Sequence, residues 1–557
     1  MRIGIFYNSK FQDLLIVVLL AIFSFGVFKN IQYPLMWMDE ADTAMFATRV
    51  LEYGYPKVHD GKNVLNHTEG LDQGVGVKEQ YDAWIHLVPF SYYFAAIGVY
   101  FAGFVNDIYL KTAIVRIPFA LIGMLGVFVL PLAFCGVLKK NRKLFVLAYL
   151  VFEIFSVFLY LNLRTVRHHT INLFLSASML SIFLNYRLFG RWKASYYMLI
   201  PSFLILQFLS FYPMFFMIVA YFATWETISF FLGGLNKRNF SSHFVLFLPI
   251  LLGLMLSIPL IGFFEIFTIM SAYSTHTGYG LGVYFGNMMY IAEFLFKYEY
   301  LGLFLVTKVI IVLSAGGIGG LINVFRKNRL AQLSASLGLY LVVDVLVISR
   351  MAFLFERYLL SMQPVIVIAV LIDVYLLLEL LAEQEGMDRV IVYVLGSLFA
   401  VLMLFRLNIL SGYVYELGHV YRGPMDYAID YISSNFDQPE SLVIATNYEE
   451  YVYMYYLGSK VIVGYVGNNL KEDIKEQPDI IIARRGRPNN IDVLTELYER
   501  GDYDLVLLPV FDYSYNNISE LFRIPYDNNH MFKTKMAERE GENLKLFIKS
   551  ELYEKAK

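Results

Sequence analysis

Twelve long apolar runs constrain the fold of this chain more than any other feature of its sequence. A helix needs about 20 mainly apolar residues to cross a bilayer, because backbone amides in lipid must hydrogen-bond within their own segment. Of the 557 residues, 58% are hydrophobic, which is more than a globular interior can hide. The sequence therefore predicts an α-helical polytopic membrane protein. The runs lie near residues 11–28, 88–105, 113–138, 144–161, 170–188, 194–210, 213–232, 244–263, 301–324, 331–349, 358–381 and 389–407.

The basic residues between these runs predict which of them cross the membrane. Lys and Arg in short loops stay on the cytoplasmic side. If residues 88–105 lie at the interface, the later basic loops fall on the side of the amino terminus. These loops lie at residues 139–143, 187–193, 237–238, 326–329 and 389. The sequence thus predicts about eleven transmembrane helices in the plasma (inner) membrane, with a cytoplasmic amino terminus and an extracytoplasmic carboxyl-terminal domain.

A change of composition near residue 411 divides the chain into two predicted domains. Residues 1–410 carry the apolar runs, whereas residues 411–557 are mixed in polarity, with short apolar runs at 442–445, 479–483 and 504–509 and a helical stretch over 490–500. This alternation predicts a small α/β domain outside the membrane.

Two connections between the predicted spans are long. The first external stretch, about residues 30–112, is expected to be functional because long ordered loops usually are. A second stretch, residues 264–300, is interpreted as a loop with glycines between Gly278 and Gly282. It would be either a mobile lid or a plain flexible connection.

Three carboxylates follow the first apolar run, in the segment Trp37-Met38-Asp39-Glu40-Ala41-Asp42. The apolar residues over 44–51 recur with a helical period. Asp39 and Glu40 are therefore predicted at the positive end of an interfacial helix. They would either cap that helix or form a catalytic pair at the outer membrane surface.

Two arginines stand where later spans begin on the predicted outer side. Arg167 is followed by His168, and Arg357 is followed by Tyr358. Arginines at helix ends often only extend their charge to the headgroups, but a guanidinium also matches phosphate oxygens with two parallel hydrogen bonds. A lipid-linked phosphate is thus one candidate ligand.

The order of these motifs resembles the GT-C superfamily of membrane glycosyltransferases, and within it the protein O-mannosyltransferase and aminoarabinose-transferase (PMT-like, ArnT-like) group. At Arg167-His168, histidine stands where an aromatic residue is usual. The resemblance covers about 400 residues. Its matching segments are Asp39-Glu40 with a helix ending near Gly54-Tyr55-Pro56, Trp84 to Phe104 leading through Arg116-Ile117-Pro118-Phe119 to Gly123, Arg167-His168-His169-Thr170, and Arg357-Tyr358-Leu359-Leu360 with Pro364.

The resemblance implies a hexosyl- or pentosyl-transferase that takes its sugar from a polyprenyl-phosphate donor on the outer face of the membrane. The acceptor would be a glycolipid, a polysaccharide or a protein, and the transfer would invert the anomeric carbon. Asp39 is the implied base, and Glu40 would orient the base or the acceptor. Donor binding is assigned to Arg167, His168, Arg357 and Tyr358.

Other functions remain open at this point. A transporter or lipid flippase would carry ionisable residues within its spans, as Glu153, Glu226 and Asp344 do here, but no internal repeat accompanies them. A non-enzymatic envelope assembly protein would use the outer domain to bind a partner. Nucleic acid is not an expected partner, because 45 basic residues are balanced by 47 acidic ones.

No cofactor follows with certainty from the sequence. Asp39 and Glu40 could hold Mg²⁺ or Mn²⁺, since both ions prefer oxygen ligands. A metal bound by His168 and His169 is a weaker alternative, because the sequence has no HxH or HxxxH spacing.

Overall fold

The computed structural model describes residues 9–66, 76–86, 88–138, 141–233, 237–277, 280–351, 354–381, 387–465, 467, 469–513 and 533–556. The amino-terminal part contains one long helix and a compact connection. Its elements are α1 (Ser9–Phe28), α2 (Met38–Tyr53), β1 (Val77–Lys78), β2 (Ala83–Trp84) and α3 (Phe90–Ala102). Helix α2 ends where Gly54 adopts a φ of +83° and its N–H bonds to the Val50 carbonyl. Helix α3 has 13 residues and is about 20 Å long, which is too short for a hydrocarbon core of about 30 Å.

The helical bundle follows. Its helices are α4 (Ile108–Cys135), α5 (Arg142–Ile154), α6 (Val157–Leu163), α7 (His168–Phe189), α8 (Lys193–Ser210), α9 (Tyr212–Gly233), α10 (Lys237–Phe263), α11 (Ile266–Thr277), α12 (Leu281–Tyr298), α13 (Leu301–Ser314), α14 (Ile318–Lys327), α15 (Arg329–Ile348), α16 (Met362–Leu381) and α17 (Met387–Gly418). Most of the described residues within 264–300, interpreted above as a loop, thus belong to α11 and α12. That interpretation was wrong because Gly280 caps the start of α12 instead of belonging to a long flexible segment.

Eight helices in the described part of the chain are long and apolar enough to cross a membrane, and two bent pairs raise the number to ten. The bent pairs are α5 with α6, at 77°, and α13 with α14, at 94°. The fold class is confirmed, although about eleven spans were predicted. The remaining predicted segment forms α8, which contains Lys193 and Gln207 and is not among these candidates.

The spans that start at the two predicted donor-binding arginines are also the most enclosed. In α7, 83% of the most apolar 18 residues are buried inside the bundle. In the stretch from Glu356 to Leu381, which ends in α16, the share is 72%. Arg167 immediately precedes α7, and Arg357 lies in a short 3-10 turn before α16. Both arginines therefore lie near the centre of one end of the bundle.

The carboxyl-terminal part forms a small α/β unit around a five-stranded sheet in the order β4-β3-β5-β7-β6. Strand β3 pairs in parallel with β4 and β5, and β7 pairs antiparallel with β5 and β6. The predicted apolar runs correspond to β3, β5 and β6, and the predicted helix to α21. The elements are α18 (Pro424–Asn435), β3 (Val443–Thr446), α19 (Glu450–Leu457), β4 (Lys460–Val463), α20 (Leu470–Asp473), β5 (Ile480–Ile482), α21 (Ile491–Glu499), β6 (Tyr503–Phe511), β7 (Asn543–Lys549) and α22 (Ser550–Ala556).

This unit, called the outer domain below, holds the segment that leads into α2. The Leu35 N–H donates to Asp426 Oδ1 at 3.1 Å, and the Met36 N–H donates to the Tyr456 hydroxyl at 3.1 Å. Helix α19 packs against α2. The outer domain, α2 and the starts of α7 and α16 consequently lie at the same end of the molecule. That this end faces outward stays a prediction from the charged loops.

Candidate active site

Asp39 is the point at which three distant segments meet. It is the second residue of α2, and its side chain is 29% exposed. Arg357 Nη2 lies 2.9 Å from Asp39 Oδ2, and Arg167 Nη2 lies 3.5 Å from the same oxygen. The predicted base and the two predicted phosphate-binding arginines are therefore brought together by the fold.

Arg167 is fixed across the first turn of α2. Its Nη1 donates to the Asp39 carbonyl at 3.0 Å, to Asp42 Oδ2 at 3.3 Å and to Thr43 Oγ1 at 3.1 Å. The side chain is only 10% exposed. An arginine that merely extended to the headgroups would be more exposed and less bonded. Arg167 is thus a preformed cationic group beside Asp39.

Arg357 is held by aromatic rings. Its guanidinium carbon lies 4.0 Å from the ring centre of Phe355, 5.0 Å from Trp37 and 5.8 Å from Tyr358. These distances are typical of cation–π contacts, which fix a guanidinium without using its N–H groups. The three rings therefore hold the Arg357 guanidinium in place beside Asp39.

His168 and Tyr358 belong to an aromatic cluster next to these arginines. The His168 ring stacks on Phe211 with 4.5 Å between ring centres, and the Tyr358 ring lies 5.3 Å from Phe211 and 5.2 Å from His169. Arg357, Tyr358 and His169 also line a narrow recess. Among the described residues, Nε2 of each histidine is buried without a hydrogen-bond partner.

Glu40 lies in a closed environment although it follows Asp39 directly. Its carboxylate is fully buried and accepts from Arg116 Nε at 3.0 Å and Nη2 at 2.6 Å, and from the Val166 N–H at 2.9 Å. Arg116 also donates to the carbonyls of Ile31 and Pro34, at 2.9 and 2.7 Å. Glu40 therefore fixes the first turn of α2 to α4 and to the segment before α7, so that any orienting effect on Asp39 acts through the position of α2.

Asp42 is a third carboxylate of the site, and the sequence assigned it no role. Its side chain is 9% exposed. It accepts hydrogen bonds from Arg167 Nη1 at 3.3 Å and from Asn66 Nδ2 at 2.8 Å. Burial raises the pKa of Asp42 to about 6, with Arg167 opposing the rise and the charge of Asp39 adding to it. The i, i+3 spacing from Asp39 could have indicated this position, because such residues share a helix face.

The outer domain also reaches this site. The Tyr451 hydroxyl donates to Asn66 Oδ1 at 2.6 Å, which links α19 through Asn66 to Asp42. Tyr448 lies close enough to Asp39 that the aspartate's charge adds to the effect of burial in raising the tyrosine pKa. Both tyrosines follow β3, at the carboxyl end of a parallel strand. Parallel strands commonly place binding residues at that edge, although no pattern in the sequence indicated a contact with α2.

The described residues do not fit a Mg²⁺ or Mn²⁺ site at Asp39 and Glu40. No group of three His, Cys, Asp or Glu side chains comes together within the described residues. Both Glu40 oxygens are bonded to Arg116, and two guanidinium groups lie within 3.5 Å of Asp39. A divalent cation there would face strong repulsion from both arginines.

Comparisons with known proteins identify the fold. No family model matches the sequence, and no curated protein matches it. Solved structures do match: the Archaeoglobus fulgidus oligosaccharyltransferase in complex with Zn and sulfate is 12% identical, with 84% of this chain and 68% of that chain covered and a TM-score of 0.52. The archaeal oligosaccharyltransferase AglB from the same organism is 11% identical, with 99% and 77% covered and a TM-score of 0.51. The fold is thus that of the GT-C membrane glycosyltransferases, as the resemblance implied.

A bacterial protein gives a weaker match of the same kind. ArnT from Cupriavidus metallidurans is 12% identical, with 90% of this chain and 97% of that chain covered and a TM-score of 0.48.

Proposed function

We propose that this chain is a membrane glycosyltransferase that transfers a sugar from a polyprenyl-phosphate donor to an acceptor hydroxyl, with inversion, at the end of the bundle that carries the outer domain. The observation that carries the proposal is Asp39, a partly exposed carboxylate faced by two largely buried arginines. The GT-C fold supports it. The AglB structure contains an inhibitory peptide and a dolichol-phosphate, a lipid phosphate of the proposed donor class.

Asp39 acts as the base in this proposal. The acceptor oxygen attacks the anomeric carbon from the face opposite the leaving phosphate, and its proton passes to Asp39 as the new bond forms. The hydroxyl becomes acidic only during bond formation, so a carboxylate suffices as base. The bond from carbon to the phosphate oxygen breaks, and the polyprenyl phosphate departs with the electron pair.

Arg167 and Arg357 stabilise the negative charge that grows on the leaving phosphate. Guanidinium groups fixed in a largely buried site interact strongly with such charge and need little reorganisation during the reaction. Both of them contact Asp39 Oδ2. A donor phosphate would compete for those guanidinium groups and so free Asp39 for the acceptor proton.

His168 and Tyr358 contribute to donor binding through the aromatic cluster around Arg357. Tyr358 contacts the guanidinium directly, while His168 acts at greater distance through Phe211. Their proposed role is to position Arg357, and Tyr358 also lines the recess beside it.

The ionisable residues that favoured a transporter have partners within the bundle. Glu226 accepts from Arg187 Nε at 2.8 Å, Glu153 accepts from Gln363 at 2.8 Å, and Asp344 accepts from the Ser361 hydroxyl at 3.3 Å. Partners of this kind are expected of residues that fix neighbouring helices. They give no specific support to a transport path.

The test is transfer of radiolabelled sugar from a panel of polyprenyl-phosphate sugars into membrane lipid, polymer and protein fractions. Wild type is compared with Asp39→Asn at matched expression, and Asp13→Asn serves as a control because Asp13 is exposed and pairs with Lys143. Transfer by wild type and Asp13→Asn but not by Asp39→Asn would support the proposal. Absence of transfer from every donor would contradict the function, and full activity of Asp39→Asn would remove Asp39 from the mechanism.

A further inference from the structure

A second polar cavity lies between the first external stretch and the outer domain. It has a volume of about 230 Å³ and is lined on one side by residues 59–64 and on the other by α19, β4 and the segment around α20. A water molecule occupies about 30 Å³ in the liquid, so this volume corresponds to roughly eight waters. The cavity is therefore large enough for a small polar ligand. Its polar lining residues are His59, Lys62, Asn63, Glu450, Lys460, Asn469 and Asp473.

The walls of this cavity are joined by specific hydrogen bonds. Lys62 Nζ donates to the carbonyls of Glu440 and Gly458, both at 2.6 Å. Asn63 donates to the Ser459 carbonyl at 3.0 Å and accepts from the Val461 N–H at 2.8 Å. The cavity is consequently preformed, which lowers the cost of ordering it around a ligand.

The basic side chains that line the cavity already have partners. Lys62 is bonded to two carbonyls, Lys460 is paired with Glu476, and His59 Nδ1 lies 2.5 Å from Asp82 Oδ1. Asp473 accepts from the Val463 N–H at 2.8 Å. The charged groups on these walls are thus largely satisfied by the protein itself.

Glu450 is the exception. The residue is 1% exposed, and no side chain among the described residues donates a hydrogen bond to its carboxylate. Burial raises the pKa of Glu450 to about 7; the amides of Glu450 and Tyr465 oppose the rise, and the charge of Asp42 adds to it. A buried carboxylate without a partner is costly and is normally paired. The cavity therefore presents a buried carboxylate that has no cationic partner among the described residues.

We propose that this cavity binds a small ligand carrying a protonated amine, whose ammonium group donates to Glu450. The lone carboxylate selects a cationic donor, while the satisfied lysines leave no strong site for an anion. The remaining polar groups, such as Asn469, can bond to hydroxyl groups of the same ligand. This inference does not depend on glycosyl transfer, because it concerns binding at a different cavity.

The test uses the full chain in detergent micelles, without any donor lipid. Ligand-observed NMR titrations compare two amines, ethanolamine and methyl glucosaminide, with their hydroxyl counterparts, ethylene glycol and methyl glucoside. We expect at least one amine to bind about tenfold more tightly than its counterpart, which is the smaller effect expected of a hydrogen bond to a charged group. Which amine binds will distinguish a headgroup-like ligand from an amino sugar.

Glu450→Gln should abolish the preference for the amine, whereas Glu472→Gln should retain it, because Glu472 is an exposed carboxylate of the same domain. The thermal midpoint of Glu450→Gln should equal or exceed that of wild type, because an unpaired buried charge is removed. Equal binding of amine and hydroxyl probes, binding of none of them, or an amine preference that survives in Glu450→Gln would each overturn the proposal. Loss of transfer activity with amine binding intact would bear only on the proposed function.

Discussion

On one face of the first turn of α2, Asp39 and Asp42 meet Arg167 and Arg357; on the other face, Glu40 meets Arg116. The Glu40 pair is fully enclosed, and both of its oxygens are bonded. Asp39 is 29% exposed, and both arginines contact its Oδ2. Two adjacent residues thus carry the same functional group in a closed and in an open environment.

The difference shows how similar ion pairs serve different purposes. A buried pair whose hydrogen bonds are complete can fix helices together but cannot exchange partners without losing several kcal/mol. A partly exposed carboxylate next to two cations can exchange one of them for a substrate. The Glu40 face is therefore assigned to structure and the Asp39 face to chemistry, and the four variants below test that division.

The largest effect is expected for Asp39→Asn. Transfer should fall by about 10²- to 10⁴-fold, the range that general bases contribute, because the amide cannot accept the proton. The thermal midpoint should change little, since asparagine keeps the size of the side chain at a partly exposed position. The measurements are initial rates with saturating donor and a melting curve of the same preparation. If Asp39→Asn lowered the thermal midpoint as much as Glu40→Gln does, the division between a structural Glu40 face and a chemical Asp39 face would be contradicted.

Glu40→Gln should produce the reverse pattern. Removing one partner of a buried ion pair typically lowers the free energy of unfolding by about 3–5 kcal/mol, because the Arg116 charge is left unpaired. The measurement is the thermal or denaturant midpoint in detergent. As a control, Arg116→Met combined with Glu40→Gln should recover part of the loss. An unchanged midpoint for Glu40→Gln alone would show that this face is not structural.

Arg357→Lys should weaken transfer by about ten- to a hundredfold, the equivalent of one or two hydrogen bonds to a charged group. Lysine retains the charge but loses the planar fork and the stacking on Phe355 and Trp37. We expect the donor KM to rise and kcat to fall, measured by varying the donor at fixed acceptor. Arg350→Lys is the matched control because Arg350 is exposed and stacks on Tyr284. Equal effects of both variants would argue against phosphate binding by Arg357.

The smallest effect concerns Asp42 and pH. Its folded pKa of about 6 lies above its ordinary value of 3.8, so the folded protein binds this proton more tightly than the unfolded chain does. Its contribution to stability is therefore fully present below about pH 4 and is lost as the pH rises through about 6. Asp42→Asn should not show that loss. Between pH 4 and pH 7, its free energy of unfolding should therefore rise relative to that of wild type by on the order of 1–3 kcal/mol.

Melting curves of Asp42→Asn and wild type across this pH range provide the measurement. Asp13→Asn should follow wild type at every pH, because Asp13 is an exposed residue at a distance from the site. A difference between Asp42→Asn and wild type that shrinks with rising pH would mean that the ionised form of Asp42 is favoured by the fold.

The sequence allowed prediction of the features that depend on the order of segments. Asp39, Arg167 and Arg357 each lie at an end of an apolar run, and the charge of the connecting loops placed these ends on one side of the membrane. Their convergence on a single carboxylate oxygen follows that expectation. Hydropathy predicted a polytopic α-helical membrane protein, whereas the GT-C fold was expected from the resemblance of the motifs to that superfamily.

Features that depend on the rotation of helices could not be predicted. The partner of Glu40 is set by the angle at which α2 and α4 meet, which hydropathy does not contain. Strand β4 could not be predicted for a different reason: it is only four residues long, and its pairing with β3 is non-local. Arg116 did carry a usable signal, because an arginine inside an apolar segment needs an internal partner.

The contact between Leu35 and Asp426 also has a consequence for biosynthesis. The two residues are separated by 391 positions, so the anchor for the segment before α2 is translated long after that segment. At about 5–20 residues per second, the delay is roughly 20 to 80 seconds. During that interval, the segment before α2 lacks its contacts with Asp426 and Tyr456, and Asn66 lacks its contact with Tyr451. The nascent chain thus completes the surroundings of Asp39 only when translation of the outer domain has supplied them, which keeps an unfinished chain from presenting a finished site.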